Sequence, residues 1–211
     1  MTHIDHSGKM FVMRIFIAVL ILIFSLQTPS QADDIRDFQI EGISLGDSAL
    51  DYFSKQEINK RIENKKFVKY PRSDSYYGMS FRNKDFFNTY DFVKIHMKKN
   101  DKKFKIVGVS GFINYPNNFE DCLKERKKIV KEVEENFTIN SSRRDYTDKF
   151  GGKGGKSIAY ITDFNFVSGG AIRIWCTKWD KQNKNTKNWT DDLNAGVSSK
   201  EFLDFLQNEA Y

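Results

Sequence analysis

The stretch Phe150-Gly-Gly-Lys-Gly-Gly-Lys-Ser157 has the residue types of a phosphate-binding loop, in which consecutive backbone N–H groups wrap an anion and a lysine reaches it. Its spacing does not fit that chemistry. Such a loop needs four residues between its first glycine and the Gly-Lys-Ser, and Phe150 holds the place where that glycine belongs. The following Ser157-Ile-Ala-Tyr-Ile-Thr-Asp-Phe164 reads as a strand, not as a helix whose N-terminus would hold the anion. The expectation is a basic loop that binds no nucleotide. In it Lys153 and Lys156, with Arg143 and Arg144 upstream, offer a weak anion-binding surface.

Other catalytic chemistries are thinly supplied. His96 is the one histidine beyond the first ten residues, and it alternates with Lys94 and Lys98. It reads as an exposed strand histidine whose pKa is depressed by its neighbours, with no carboxylate to orient it in a triad. One imidazole does not build a multi-histidine zinc site. Two carboxylates from distant segments are enough for a glycosidase, and Asp163, Glu120 and Asp121 are candidates, but a chain with 28 acids offers such pairs by chance. We therefore expect no catalytic residues, no cofactor and no metal, with a carboxylate-based envelope hydrolase as the rival.

A binding surface is better supplied. In Ala171-Ile-Arg-Ile-Trp-Cys-Thr-Lys-Trp179, alternation places Arg173, Trp175 and Trp179 on one strand face and Ile172, Ile174 and Cys176 on the other. The tryptophan face is either open to a sugar or protein partner, or covered by the C-terminal helix or the 181–192 loop.

The elements that must position these residues follow from the rest of the chain. Lys9 and Arg14 precede the apolar run Ile15 to Leu26, and small and polar residues lead to Ser30-Gln-Ala32, the order of a secretory signal peptide at 1–32. An uncleaved anchor would normally need about 20 apolar residues. The start is Met1, Met10 or Met13. Cleavage would leave a single domain, 33–211, and lower the net charge from +6 to +5, since two bases and one acid depart. That modest charge favours anionic surfaces such as lipid headgroups or glycans, with no nucleic acid expected and no membrane contact except through an uncleaved leader.

Asp47 or Ser48 caps one short N-terminal helix, and Ser54 with Glu57 makes the capping box of a second. Strands are expected near Tyr76–Phe81, in the hairpin through Asn100-Asp101, and in the hairpin through Ser168-Gly-Gly170. Phe119, Cys122, Leu123, Ile129, Val130, Val133 and Phe137 form the apolar stripe of a long helix. Thr138 to Lys156 reads as a polar loop, and a final amphipathic helix lies near Ser198 to Asn208. The two cysteines, Cys122 and Cys176, sit on faces that a helix–sheet contact brings together. Export permits their disulfide, and two buried thiols are the alternative. The fold expected is α+β: an antiparallel sheet of about five strands with a long packed helix, short N-terminal helices and a C-terminal helix, without internal repeat.

The segment Ile40-Glu-Gly-Ile-Ser-Leu-Gly-Asp-Ser-Ala-Leu-Asp-Tyr-Phe-Ser54, the later Ser110-Gly-Phe-Ile-Asn-Tyr115, the helical Cys122 and Ile172-Arg-Ile-Trp-Cys176 resemble a group of exported bacterial proteins that brings no activity to transfer. Ile43 to Phe53 also resembles the opening turn of the small outer-membrane assembly lipoprotein of the SmpA/OmlA type and of the β-lactamase-inhibitor-like fold. No lipobox cysteine follows the leader, so the resemblance does not extend to a lipid anchor. These readings point to a periplasmic or secreted, non-enzymatic binding module whose partner is an envelope protein, or an anionic glycan or lipid surface.

Overall fold

The computed structural model describes residues 34–82, 86–137, 142–150 and 156–211; the leader, Lys153 and most of the glycine-rich stretch lie outside them. Eight strands form one sheet: β1 (Val68–Tyr70), β2 (Ser73–Phe81), β3 (Phe92–Lys98), β4 (Ile106–Asn114), β5 (Ser142–Phe150), β6 (Ser157–Asn165), β7 (Ala171–Lys178) and β8 (Asp192–Ser198). Every neighbouring pair is antiparallel, in the order β1-β2-β3-β4-β8-β7-β6-β5. Among the described residues four α-helices accompany it: α1 (Lys55–Glu63), α2 (Phe119–Asn136), α3 (Lys181–Lys187) and α4 (Lys200–Asn208), with short 3-10 turns at Ile35–Asp37 and Ala49–Asp51.

Eight strands replace the five expected, and each extra strand has a physical reason for escaping notice. β5, Ser-Arg-Arg-Asp-Tyr-Thr-Asp-Lys-Phe, falls inside what reads as a loop because it has no apolar alternation. It is an edge strand with one neighbour, β6, and such an edge is kept charged to discourage pairing with other chains. β1 is only three residues long and ends at Tyr70, just before Pro71. β8 lies at the sheet's centre between β4 and β7, yet carries Asp192, Asn194, Gly196 and Ser198, all weak strand formers. Its alternate residues Leu193, Ala195 and Val197 are buried, so packing overrides propensity. Gly196 is required there: a Cβ would come within 2.3 Å of Ser110 Oγ and 2.9 Å of the Val109 carbonyl.

A helix followed by a four-stranded meander occurs twice, first α1 with β1–β4 and then α2 with β5–β8. The halves meet where their last strands, β4 and β8, pair from Gly108↔Ser198 to Asn114↔Asp192.

The main core lies between one sheet face and α1 with α2. Met79, Phe81, Val93, Ile95, Val109, Leu193, Ala195, Ile172 and Ile174 meet Ile58 of α1 and Cys122, Val130 and Val133 of α2. Ser54 caps α1 by accepting from Glu57 N, and Asn118 caps α2 by accepting from Glu120 N. The Cys122 and Cys176 sulfurs are at bonding distance with Cα atoms 6.0 Å apart, joining α2 to β7. On the opposite face, α4 packs Phe202 and Phe205 against Tyr70, Tyr76 and Val107 in a smaller apolar cluster. Among the described residues no helix is long and apolar enough to cross a membrane.

Candidate functional site

Among the described residues, the α4 face of the sheet is covered at its two ends. At one end α4 sits over the row His96, Gly108 and Ser198, its Phe202 ring 4.5 Å from the His96 ring. At the other end the segment after β7 folds back, so that Trp179 Nε1 donates to Asp192 Oδ2 at 2.8 Å and the Trp179 and Trp189 rings lie 4.2 Å apart. Between the two covers the register sets out one row across seven strands: Ser80, Lys94, Ser110, Gly196, Arg173, Asp163 and Arg144. Strand-to-strand spacing of about 4.8 Å puts Lys94 and Arg173 three strands apart, with Ser110 and Gly196 between them in the row.

A cavity of about 230 Å³ opens on this row, lined by Lys94, Ser110, Arg173, Trp175, Gly196 and Ser198 from the sheet and by Phe202, Leu203, Leu206 and Tyr211 from the C-terminal segment. The absence of a side chain at Gly196 deepens its floor. One wall is apolar because α4 turns Phe202 toward the sheet and places Leu203 and Leu206 at its border. A larger recess of about 740 Å³ near Ile35, Gly46 and Lys105 is lined by charges of both signs, several of them paired, as Arg36 with Asp34, Lys200 with Asp204 and Glu201 with Lys98, and by no aromatic side chain among the described residues. The smaller cavity is therefore the candidate site.

Its electrostatics are unusual. Lys94 has no carboxylate within ion-pairing distance among the described residues; its ammonium lies 4.8 Å from the centre of the Phe112 ring. Burial holds its pKa below the ordinary lysine value, partly opposed by the more distant Asp192. Arg173 is engaged along one edge, Nε to Asp163 Oδ1 at 2.6 Å and Nη2 to Asp163 Oδ2 at 2.8 Å, and among the described residues Nη1 has no hydrogen-bond partner. On the neighbouring row Asn194 is buried, and its Oδ1 accepts no hydrogen bond among the described residues.

His96 is half-buried rather than exposed, and a 2.8 Å hydrogen bond joins its Nδ1 to the Tyr70 hydroxyl. Its pKa falls to about 3, chiefly through burial and secondarily through Lys94. The imidazole is thus neutral across the physiological range and supplies no charge to the site.

Asp192 borders this region and has the most perturbed acid there. Burial raises its carboxyl from 3.8 to about 6, with Asp191 adding to the rise and the Trp179 hydrogen bond and Lys94 opposing it. The folded state therefore holds this proton more tightly than the unfolded chain. The stabilising contribution is complete below about pH 4 and is lost as pH rises through about 6, to a maximum of roughly 3 kcal/mol for two pH units. Asp192→Asn should gain stability relative to the parent between pH 4 and 7 in urea denaturation. Parallel pH profiles for the two proteins would contradict this assignment.

The residues singled out in sequence divide between several places. Arg173 and Trp175 line the cavity. Arg144 lies in the same row two strands from Arg173, its guanidinium 4.7 Å from the centre of the Tyr146 ring. Arg143 points to the opposite face, where it pairs with Glu134 of α2 and donates to Asp145 at 2.7 Å. Trp179 lies beyond the end of β7 in the second cover, and the exposed Lys156 donates its backbone N–H to Asp180 at 3.3 Å. Asp163 is bound by Arg173 and accepts from the Tyr146 hydroxyl at 3.0 Å, while Glu120 and Asp121 are in the first turn of α2 beyond the other face. The sheet thus separates these carboxylates. Lys94, Ser110 and Ser198 went unrecognised as site residues. The signal for Ser198 was the alternation of Asp192 to Ser198, which places Asp192, Asn194, Gly196 and Ser198 on one face.

Compared with known proteins, the chain matches no family model, and no curated protein and no solved structure matches it.

Proposed function

We propose that this protein is an exported, non-enzymatic binding module, freed by cleavage after Ala32 into the periplasm or the medium, and that its ligand site is the cavity under α4. The observation that carries this reading is Lys94, half-buried and without a carboxylate partner among the described residues, lining one cavity together with Trp175 and the apolar residues of α4. The Lys94 ammonium faces an aromatic ring, Phe112, and no carboxylate among the described residues, so its N–H donors remain free for an anionic ligand. The Cys122–Cys176 bond supports the exported part of the reading, because such bonds persist in oxidising compartments. The resemblance of Ile43 to Phe53 to envelope proteins agrees with that location.

The rival hydrolase is less well served, since its best acid, Asp163, has both oxygens engaged by Arg173. Binding to an extended anionic glycan or lipid surface would draw instead on the exposed Arg144 and Lys156, which lie outside this cavity.

Calorimetry with two eight-carbon probes, octanoate and octanol, tests the site. One-to-one binding of at least one probe is expected, together with its loss in Ser198→Phe, which fills the cavity. If neither probe binds, or if Ser198→Phe binds as the parent does, the cavity is not the site.

A further inference from the structure

We propose that the ligand of this cavity is a small amphipathic anion, a free carboxylate carrying a short apolar chain or ring, with its charge between Lys94 and Arg173 and its apolar part against Trp175 and α4. The inference rests on the cavity being the binding site and names what enters it.

Three observations select that chemistry. First, the charges that line the cavity, Lys94 and Arg173, are both positive, and Asp163 neutralises only the Nε and Nη2 edge of Arg173. Three donors are therefore open to an anion: the Lys94 ammonium, Arg173 Nη1 and the Ser110 hydroxyl. Ser110 lies between the two cations in the row and makes no hydrogen bond through its side chain among the described residues. Bonds from such charged donors to a carboxylate are about twice as strong as neutral ones. Second, the wall facing this row is apolar: Phe202, Leu203 and Leu206 come from α4, and Val68 and Tyr70 border them. A hydrophilic anion such as free phosphate would leave that wall unmatched. Third, about 230 Å³ holds roughly eight groups of water size at about 30 Å³ each. That is room for a chain of some six to eight carbons or a single ring, and too little for a two-chain phospholipid.

Trp175 fits the same arrangement. It is half-buried beside Arg173 on β7, where its ring offers a flat apolar surface next to the charge. Its backbone is fixed from behind by the neighbouring Cys176, whose side chain goes to the other face. The recognition surface is therefore mounted on a strand paired on both sides and joined to α2 by the disulfide.

The test compares octanoate with octanol, which share chain length and differ in charge, on the parent protein and on Lys94→Met. Methionine keeps the length of the side chain and its packing on Phe112 and removes the charge, and no carboxylate among the described residues loses a partner. Octanoate should bind the parent at least tenfold more tightly than octanol, and Lys94→Met should remove that advantage while changing octanol binding by less than threefold. Octanol binding as well as octanoate, with Lys94→Met without effect, would overturn the anion while leaving the cavity as the site. Binding of neither probe would remove the site itself. Preference for vesicles containing phosphatidylglycerol over free octanoate would also overturn the proposal, because the anionic group would then belong to a membrane.

Discussion

Replacing Cys122 and Cys176 together by serine is expected to lower the folding free energy by about 4 kcal/mol, the chain-entropy value for a loop of 54 residues. For a domain whose total stability is about 5–15 kcal/mol, such a loss changes the folded population appreciably at body temperature. The location of the bond adds to the effect. Cys122 lies in the first turn of α2 and Cys176 on β7, both fully buried, so the bond fixes one end of the helix to a strand near the sheet's middle. The remainder of α2 is held by Val130, Val133 and Phe137 in the same core. The helix should remain in place without the bond, with faster amide exchange in its first turn and in β7. Urea denaturation of the double serine variant beside the oxidised parent gives the number. A difference below about 1 kcal/mol would show that the bond contributes little to this fold.

Phe202→Ala is the second large effect, expected at about 3–5 kcal/mol for a fully buried phenylalanine. Its ring occupies the space left by Gly108, where an added Cβ would meet the ring at 3.1 Å. Around it stand His96, Tyr76 at 5.4 Å between ring centroids and Tyr70 at 6.4 Å. Of the α4 residues only Phe202 and Phe205 are fully buried, and the helix spans just nine residues, too short to be stable apart from its contacts. Loss of the Phe202 ring should therefore weaken the attachment of the whole helix and open the cavity on that side. Hydrogen exchange reads this directly: the α4 amides should lose protection while those of β6 and β7 keep theirs. Uniform loss of protection across the sheet would contradict a separately held α4.

The legible parts of the fold were those where burial is periodic. The stripe from Phe119 to Phe137 gave α2, and the alternation of Val93, Ile95 and Met97 gave β3, because one face of each is apolar and the other polar. Ser54 with Glu57 and Ser48 located helix starts because a side chain there satisfies an otherwise free N–H. β5 and β8 were illegible for opposite reasons. The edge strand β5 is exposed along almost all of its length, so no alternation develops. In β8 the alternation exists, but the Asp, Asn and Gly on its second face are residues depleted in strands.

The candidate site was legible in half. Arg173 and Trp175 follow from the alternation around Cys176. Lys94 and Ser110 do not, since β3 and β4 come from the other meander and only the β4–β8 pairing places them beside β7. A lysine between Val93 and Ile95 reads as a solvated strand residue, whereas in the fold it is half-buried, with its ammonium over Phe112 of β4 and α4 residues across the cavity, more than 100 residues later in the chain. Tertiary contact, not local pattern, creates that environment.

The central claim is that the space beneath α4 is where this protein meets its ligand, and amide chemical-shift mapping with octanoate on isotope-labelled protein tests it most directly. The account predicts saturable shifts concentrated at Lys94, Ser110, Trp175, Gly196, Ser198 and Phe202, with the Trp175 indole among the most affected. Shifts concentrated instead around Trp179 and Trp189, around Arg143 and Arg144, or nowhere, would contradict it.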